Sequence, residues 1–406
     1  MKKLNLLMSA LAVLALASCS NDEVVNNASE KVAQQSIGFS PLTKRASTRA
    51  NIVNKAADLK DFAVTAYAAQ PLSGLFYIAG EAKTLALSTG DVYTYDGVDM
   101  SNIKIVYRDG GWDYNNASDT KYWPYTKTGE TYSSSGYQLD FVAISPAAAV
   151  GNGFAFSNVG GTITNYTVGA DDLCHATATA EQSGGQVQLN FKHLLSQIKF
   201  AAKKATGMTV DIKEITLANV PNLGSLSPIS GTPAWTVAAS TTKADYQGNT
   251  GVFSVQAAGD AAPADTITTS GYEILVLPQD ASLVTYDPTT ISASNPVSGT
   301  GKLYLKVSCR VKVAGSTTWA IGGDEGNYKD IYFSLSTTWK PGTKYTYTLL
   351  FGGVKDPDAT NPPGEEPGGE TGGGTDDEGK TTPPTTPITF SASVTDWVDA
   401  TKDIAF

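Results

Sequence analysis

The chain has 406 residues, only 17% of them charged, and a formal net charge of −10. That balance argues against nucleic acid as a partner, because holding phosphates takes clustered Lys and Arg. The length suggests roughly two or three domains, and the richness in Gly and Tyr suits many short strands better than long helices.

The N-terminus carries the sharpest local signal. Lys2 and Lys3 precede a largely apolar run over residues 6–17, too short to span a bilayer. Residues 1–18 therefore read as a secretory signal peptide that is removed from the mature protein. The run closes on Leu16-Ala17-Ser18-Cys19, which resembles a bacterial lipobox. That resemblance implies cleavage before Cys19 and a diacylglycerol on its thiol, the only non-protein group expected. Each buried methylene contributes ~0.8 kcal/mol, so several acyl chains make a stable anchor. Ser20-Asn21-Asp22-Glu23 resembles the surface-export signal of Bacteroidetes lipoproteins, with a plain solvated tether as the other reading. Residues 19–36 read as a polar, flexible stalk. Cys174 and Cys309 lie too far apart for a small disulfide framework and read as buried free thiols, with a bridge between them as the alternative.

Strand-like runs follow at residues 61–67, 138–144, 186–191, 271–277, 302–313, 331–335 and 344–351, separated by Gly, Pro, Asn and Asp. In the longest, Leu303, Leu305, Val307, Cys309 and Val311 alternate with Tyr304, Lys306, Ser308, Arg310 and Lys312, which predicts a half-buried strand. Residues 193–204 fit a short helix or a bulged strand equally well. Residues 354–387 hold Pro362-Pro363-Gly364 and Gly372-Gly373-Gly374, and bury too little apolar surface to offset the entropy of ordering. They are expected to form a disordered linker. Behind it, in residues 388–406, Ile388, Phe390, Ala392 and Val394 alternate with Thr389, Ser391, Ser393 and Thr395. A strand on so long a tether can reach its own fold or a neighbour's.

The inventory for catalysis is thin. His175 and His193 are the two histidines, too few for a histidine metal cluster and without HExxH spacing. No Gly-x-Ser-x-Gly elbow or phosphate-binding glycine loop occurs. The acidic stretches 109–119 and 323–330 lack EF-hand ligand spacing and read as hairpin loops. A non-enzymatic protein with no metal is expected. Tyr93, Tyr95, Tyr107, Trp112, Tyr114, Tyr122, Trp123 and Tyr125 read as strand and core packing rather than a sugar-stacking platform.

Several short motifs recur in a set order. Ile37-Gly38-Phe39 precedes Thr48-Arg49-Ala50, and Tyr122-Trp123-Pro124 precedes Leu139-Asp140-Phe141-Val142-Ala143. Asp171-Asp172-Leu173 is followed by Phe191-Lys192-His193, then by Ile274-Leu275-Val276-Leu277-Pro278-Gln279 and Trp339-Lys340-Pro341-Gly342. Together they resemble the Bacteroidetes fimbrillins, the Mfa-like group of fimbrial subunits. The resemblance implies an all-β protein of two tandem transthyretin-like β-sandwiches, here residues 37–185 and 186–353. It also implies an outer-membrane lipoprotein on the cell surface, matured by a trypsin-like protease and polymerised when another subunit's strand replaces the first one. On this sequence the implied cut sites are Arg45 and Arg49, and the displaced strand holds Ile37 and Phe39. Ile388, Phe390, Ala392 and Val394 are the donor residues, unless that strand completes its own sheet. Implied partners are other fimbrial subunits, the outer membrane through Cys19, and a host protein or glycan receptor. A tip or anchor subunit and a stand-alone glycan-binding surface lipoprotein are the alternative readings.

Overall fold

A computed structural model describes residues 38–42, 56–70, 75–76, 84–86, 92–94, 103–109, 111–120, 125–128, 131–133, 138–151, 154–155, 161–181, 186–228, 232–238, 243–249, 251–268, 273–279, 303–324, 326–334, 338–354, 375–376 and 388–396. Regular structure among them is strand, with three short 3₁₀ turns at Ala56–Leu59, Ala117–Asp119 and Ala147–Gly151. The protein is all-β, as its alternating sequence requires. Each strand-like run lies on an observed strand, and residues 193–204 resolve in favour of the strand Ser196–Lys204. Neighbours on both sides explain that outcome. Thr343–Phe351 pairs with it in parallel and Ile274–Val276 antiparallel, and most of its side chains are buried.

In the N-terminal half one sheet runs in the order Lys192–His193, Cys174–Glu181, Gln138–Ser145, Asp61–Gln70, Ile103–Arg108 and Gly111–Tyr114. Phe62, Val64 and Ala66 alternate to one face of Asp61–Gln70, and Leu139, Phe141 and Ala143 do the same on Gln138–Ser145. Over that face lies a two-stranded parallel ribbon, Phe39–Leu42 with Val187–Asn190. Its residues Phe39, Val187 and Leu189 join the same apolar cluster, so sheet and ribbon share one core.

The C-terminal half is a sandwich of two sheets. One runs Asp265–Thr266, Ser196–Lys204, Thr343–Phe351, Ile388–Asp396; the other Lys243–Gln247, Thr209–Pro221, Tyr304–Lys312, Lys329–Ser334, Thr375–Asp376. Their inner faces interlock through Phe200, Tyr347 and Leu349 from the first sheet and Ile215, Leu217, Leu305 and Val307 from the second. Gly248 lets backbone lie against the Phe200 ring, since a Cβ there would sit 2.5 Å from it. A third cluster, with Ile144, Ile163, Leu194, Leu226 and Leu277, bridges the halves.

Val187, Leu189 and Phe191 pack with the N-terminal cluster, and the C-terminal cluster includes Ile198 onward. Short alternating strands look alike to either core; only their cover distinguishes them. Within the expected linker, Thr375–Asp376 pairs with Tyr332 and Ile331, because the edge of Lys329–Ser334 offers open backbone groups. Cys174 and Cys309 are free and buried, as expected. Tyr114 is buried and Trp112 packs on Phe62 with ring centroids 5.1 Å apart, while Tyr107 is 37% exposed.

Candidate functional site

Among the described side chains of the N-terminal strand, Phe39 is the one seated in the core. Phe39 is 3% exposed and presents its ring edge-on to three others: Phe62 at 5.9 Å, Phe141 at 6.0 Å and Tyr114 at 6.1 Å between centroids. Each of those rings comes from a different strand of the large sheet. Burial of a Phe side chain contributes ~1.5–3 kcal/mol, and each favourable ring pair adds ~0.5–1.5 kcal/mol. The backbone adds little length: Phe39 faces Val187, Ser40 Gln188, Pro41 Leu189 and Leu42 Asn190. The Val187 N–H donates to the Gly38 carbonyl at 2.8 Å.

The C-terminal strand is held differently. Ile388–Asp396 forms an unbroken antiparallel ladder with Thr343–Phe351, from Ile388 opposite Phe351 to Asp396 opposite Thr343. The expected donor residues Ile388, Phe390, Ala392 and Val394 thus lie opposite Phe351, Leu349, Tyr347 and Tyr345. Among the described residues this strand is the edge of its sheet, and in the single chain it completes that sheet. Cys19, Ile37, Arg45 and Arg49 lie outside the described residues.

The strand that receives the ladder is braced by the tryptophan motif. Trp339 is buried and its Nε1–H donates to the Tyr347 hydroxyl at 2.9 Å. The Tyr345 hydroxyl donates to the Thr338 carbonyl and accepts from the Lys340 N–H, each at 2.9 Å. Gly342 turns the chain with φ +66°, a conformation that favours glycine, and its N–H donates to the Leu195 carbonyl at 2.9 Å. Trp339 also ties to the preceding motif through its backbone N–H on the Gln279 carbonyl.

Asp172 and His193, from two halves of the mid-chain motif, meet in space. His193 Nδ1 donates to Asp172 Oδ2 at 2.7 Å, and Cys174 Sγ lies 3.5 Å from the same nitrogen. These three atoms could in principle ligate one cation, being within 4.8 Å of one another. Burial, and next Asp172, push the Cys174 thiol well above its ordinary value, so it is a neutral thiol at neutral pH rather than a nucleophile or ready ligand. The arrangement is a hydrogen-bonded knot joining Cys174–Glu181 to Lys192–His193 where Cys174 faces His193. In the fold, His193 ties Asp172 to the Cys174–Glu181 strand. What sequence reasoning missed is the seat itself: Phe62, Tyr114 and Phe141 carry strand alternation but no mark that they meet at Phe39.

Comparison with known proteins places the chain. A family model described as fimbrillin-like matches residues 90–397, more than half of the sequence. Among solved structures, the chain is similar to a fimbrial protein from Bacteroides vulgatus at 16% identity, covering 89% of this chain and 99% of that one with a TM-score of 0.46. It is also similar to candidate cell adhesion proteins from Bacteroides uniformis (14% identity, 89% and 99% coverage, TM-score 0.37) and Bacteroides ovatus (15%, 90% and 99%, 0.39). No curated protein matches the sequence. By the extent of the family match, this chain belongs to the fimbrillin-like family.

Proposed function

We propose that the protein is a structural subunit of a cell-surface fimbria, exported as a lipoprotein through Cys19 and built of two tandem transthyretin-like sandwiches. Maturation is a cut after Arg45 or Arg49, and assembly is exchange of β-strands between subunits. The observation that carries this reading is the seat of Phe39. A four-residue parallel strand, fixed mainly by one aromatic anchor, lies just upstream of two arginines. Once its chain is cut, that strand can leave. Its loss would open an apolar slot beside the unpaired edge of Val187–Asn190, the standard template for an added strand. A donor burying four or five apolar side chains gains on the order of 10 kcal/mol before entropy is counted. The contact joins unlike surfaces head to tail, so it can extend into a filament.

The test uses residues 20–406 treated with a limiting Arg-specific protease, followed by gel filtration and electron microscopy. Cleavage at Arg45 or Arg49 should yield denaturant-resistant oligomers or filaments, and deletion of residues 388–406 should abolish them. A cleaved chain that stays a stable monomer overturns the polymer reading. The complete C-terminal ladder favours a second reading, a tip subunit that donates no strand, while an anchor subunit would keep its lipid and its N-terminal strand. The N-terminus of native protein separates the two: lipidated Cys19 marks an anchor, Ala46 or Ala50 a trimmed, polymerised subunit.

A further inference from the structure

The arginines are placed unlike the lysines. The chain has 25 lysines, spread along its length, and four arginines. Arg45 and Arg49 stand together near the N-terminus, and past them only Arg108 and Arg310 follow, each within a strand. Resting on the maturation reading above, we infer that this layout confines an arginine-specific protease to the N-terminal segment, because the fold locks both later arginines and the linker offers none. Cleavage adds one water across an Arg–X peptide bond, leaving a carboxylate on the arginine and a new amine on the next residue. The guanidinium must enter the enzyme's specificity pocket and the chain must enter its cleft, so a folded site is cut only after it opens.

Arg310 is locked at both its side chain and its backbone. Its Nε and Nη2 donate to Asp211 Oδ2 at 2.8 and 2.7 Å, and its guanidinium lies 4.7 Å from the Trp319 ring centroid and 5.5 Å from that of Tyr328. The bond to be cut joins it to Val311, whose N–H donates to the Ile321 carbonyl and whose carbonyl accepts from the Ala320 N–H, each at 2.9 Å. On the other flank Arg310 faces Asp211 in the strand Thr209–Pro221. Arg108 is more exposed and is held by a tight hairpin in which it faces Gly111. Its Nη2 donates to the Tyr114 carbonyl at 2.7 Å and to the Asn115 carbonyl at 3.1 Å. Asp109, on the far side of the bond, has φ +51°, the left-handed turn rather than the extended chain a cleft takes in. The linker, residues 354–387, has the composition of a solvated tether, where nicking concentrates, yet its cations are Lys355 and Lys380. Either cation would keep the charge there, so the choice of lysine matters to a protease that tells the two apart.

Residues 20–406 are digested with rising amounts of an arginine-specific protease, and the products are read by intact mass and N-terminal sequencing. The expected product begins at Ala46 or Ala50, ends at Phe406 and persists, while urea-unfolded chain is also cut before Asp109 and Val311. A native product beginning at Asp109 or Val311 overturns the inference. A native chain left whole at Arg45 and Arg49 overturns the maturation reading instead, and its refusal at Arg108 and Arg310 still supports the two locks. Two variants test the causes. Lys380→Arg should release a C-terminal fragment beginning at Thr381, and a variant that stays whole sinks the claim that lack of arginine protects the linker. Three glycines inserted between Asp109 and Gly110 should speed cutting at Arg108 by about tenfold or more, with Arg310 still refused. An unchanged rate at Arg108 overturns the hairpin lock.

Discussion

The two terminal strands solve the same problem in opposite ways. Phe39–Leu42 has four residues, pairs in parallel and seats the Phe39 ring among three others. Ile388–Asp396 has nine, pairs antiparallel and relies on an unbroken ladder. An anchor can be lost in one event, since little backbone pairing must break with it. A long ladder comes away only as a unit. On the proposed strand exchange, the short anchored strand is the one suited to removal, while the nine-residue strand moves only as a unit.

The strongest way to break that contrast is Phe39→Ala. In the uncut chain it should cost about 3–5 kcal/mol in urea unfolding, the range for a buried Phe left as a cavity. After trimming, the same substitution should be silent. An equal loss before and after would mean that the strand stays in place.

Acid sharpens the comparison next. His175 is buried on Cys174–Glu181, beside Lys192 on one flank and Ile144 on the other. Burial, and secondarily Lys192, lower it from its ordinary 6.5 to about 4. The unfolded chain takes up that proton near pH 6.5 while the fold refuses it until about pH 4. This stabilisation is complete above pH 6.5 and is lost as pH falls through that window, roughly 3 kcal/mol in all. The N-terminal half should weaken first, and His175→Gln should flatten that part of the pH dependence of the urea midpoint.

A smaller effect tests the brace of the C-terminal ladder. Tyr347→Phe removes the acceptor of the buried Trp339 Nε1–H and should cost about 1–3 kcal/mol, read by urea unfolding. Near the bottom of the scale, Lys104→Ala breaks a 2.9 Å pair with Asp61 at a half-exposed site. It should change stability by no more than ~0–1 kcal/mol. A larger loss there would place more of the N-terminal half's stability in its surface than in the Phe39 core.

Much of this was legible beforehand. The tryptophan motif marked the turn before the ladder, and the Ile388 run marked a strand with a tether. The mid-chain motif contained both Asp172 and His193 without revealing that they touch. The seat of Phe39 left no local trace, because its rings lie on strands separated by long stretches of chain. The expected linker reads as uniformly polar, yet Thr375–Asp376 finds an open sheet edge.

By itself the sequence determined the all-β class and the places of its strands, because the alternation of side chains to two faces is a property of neighbours in the chain. Tertiary structure alone decided who pairs with whom: Phe39 with Val187 in parallel, Ser196–Lys204 beside Thr343–Phe351, and the exchange of cores after Phe191. Alternation makes every strand a plausible partner for every other. The choice among them is made only when buried side chains from distant segments must fill one volume together.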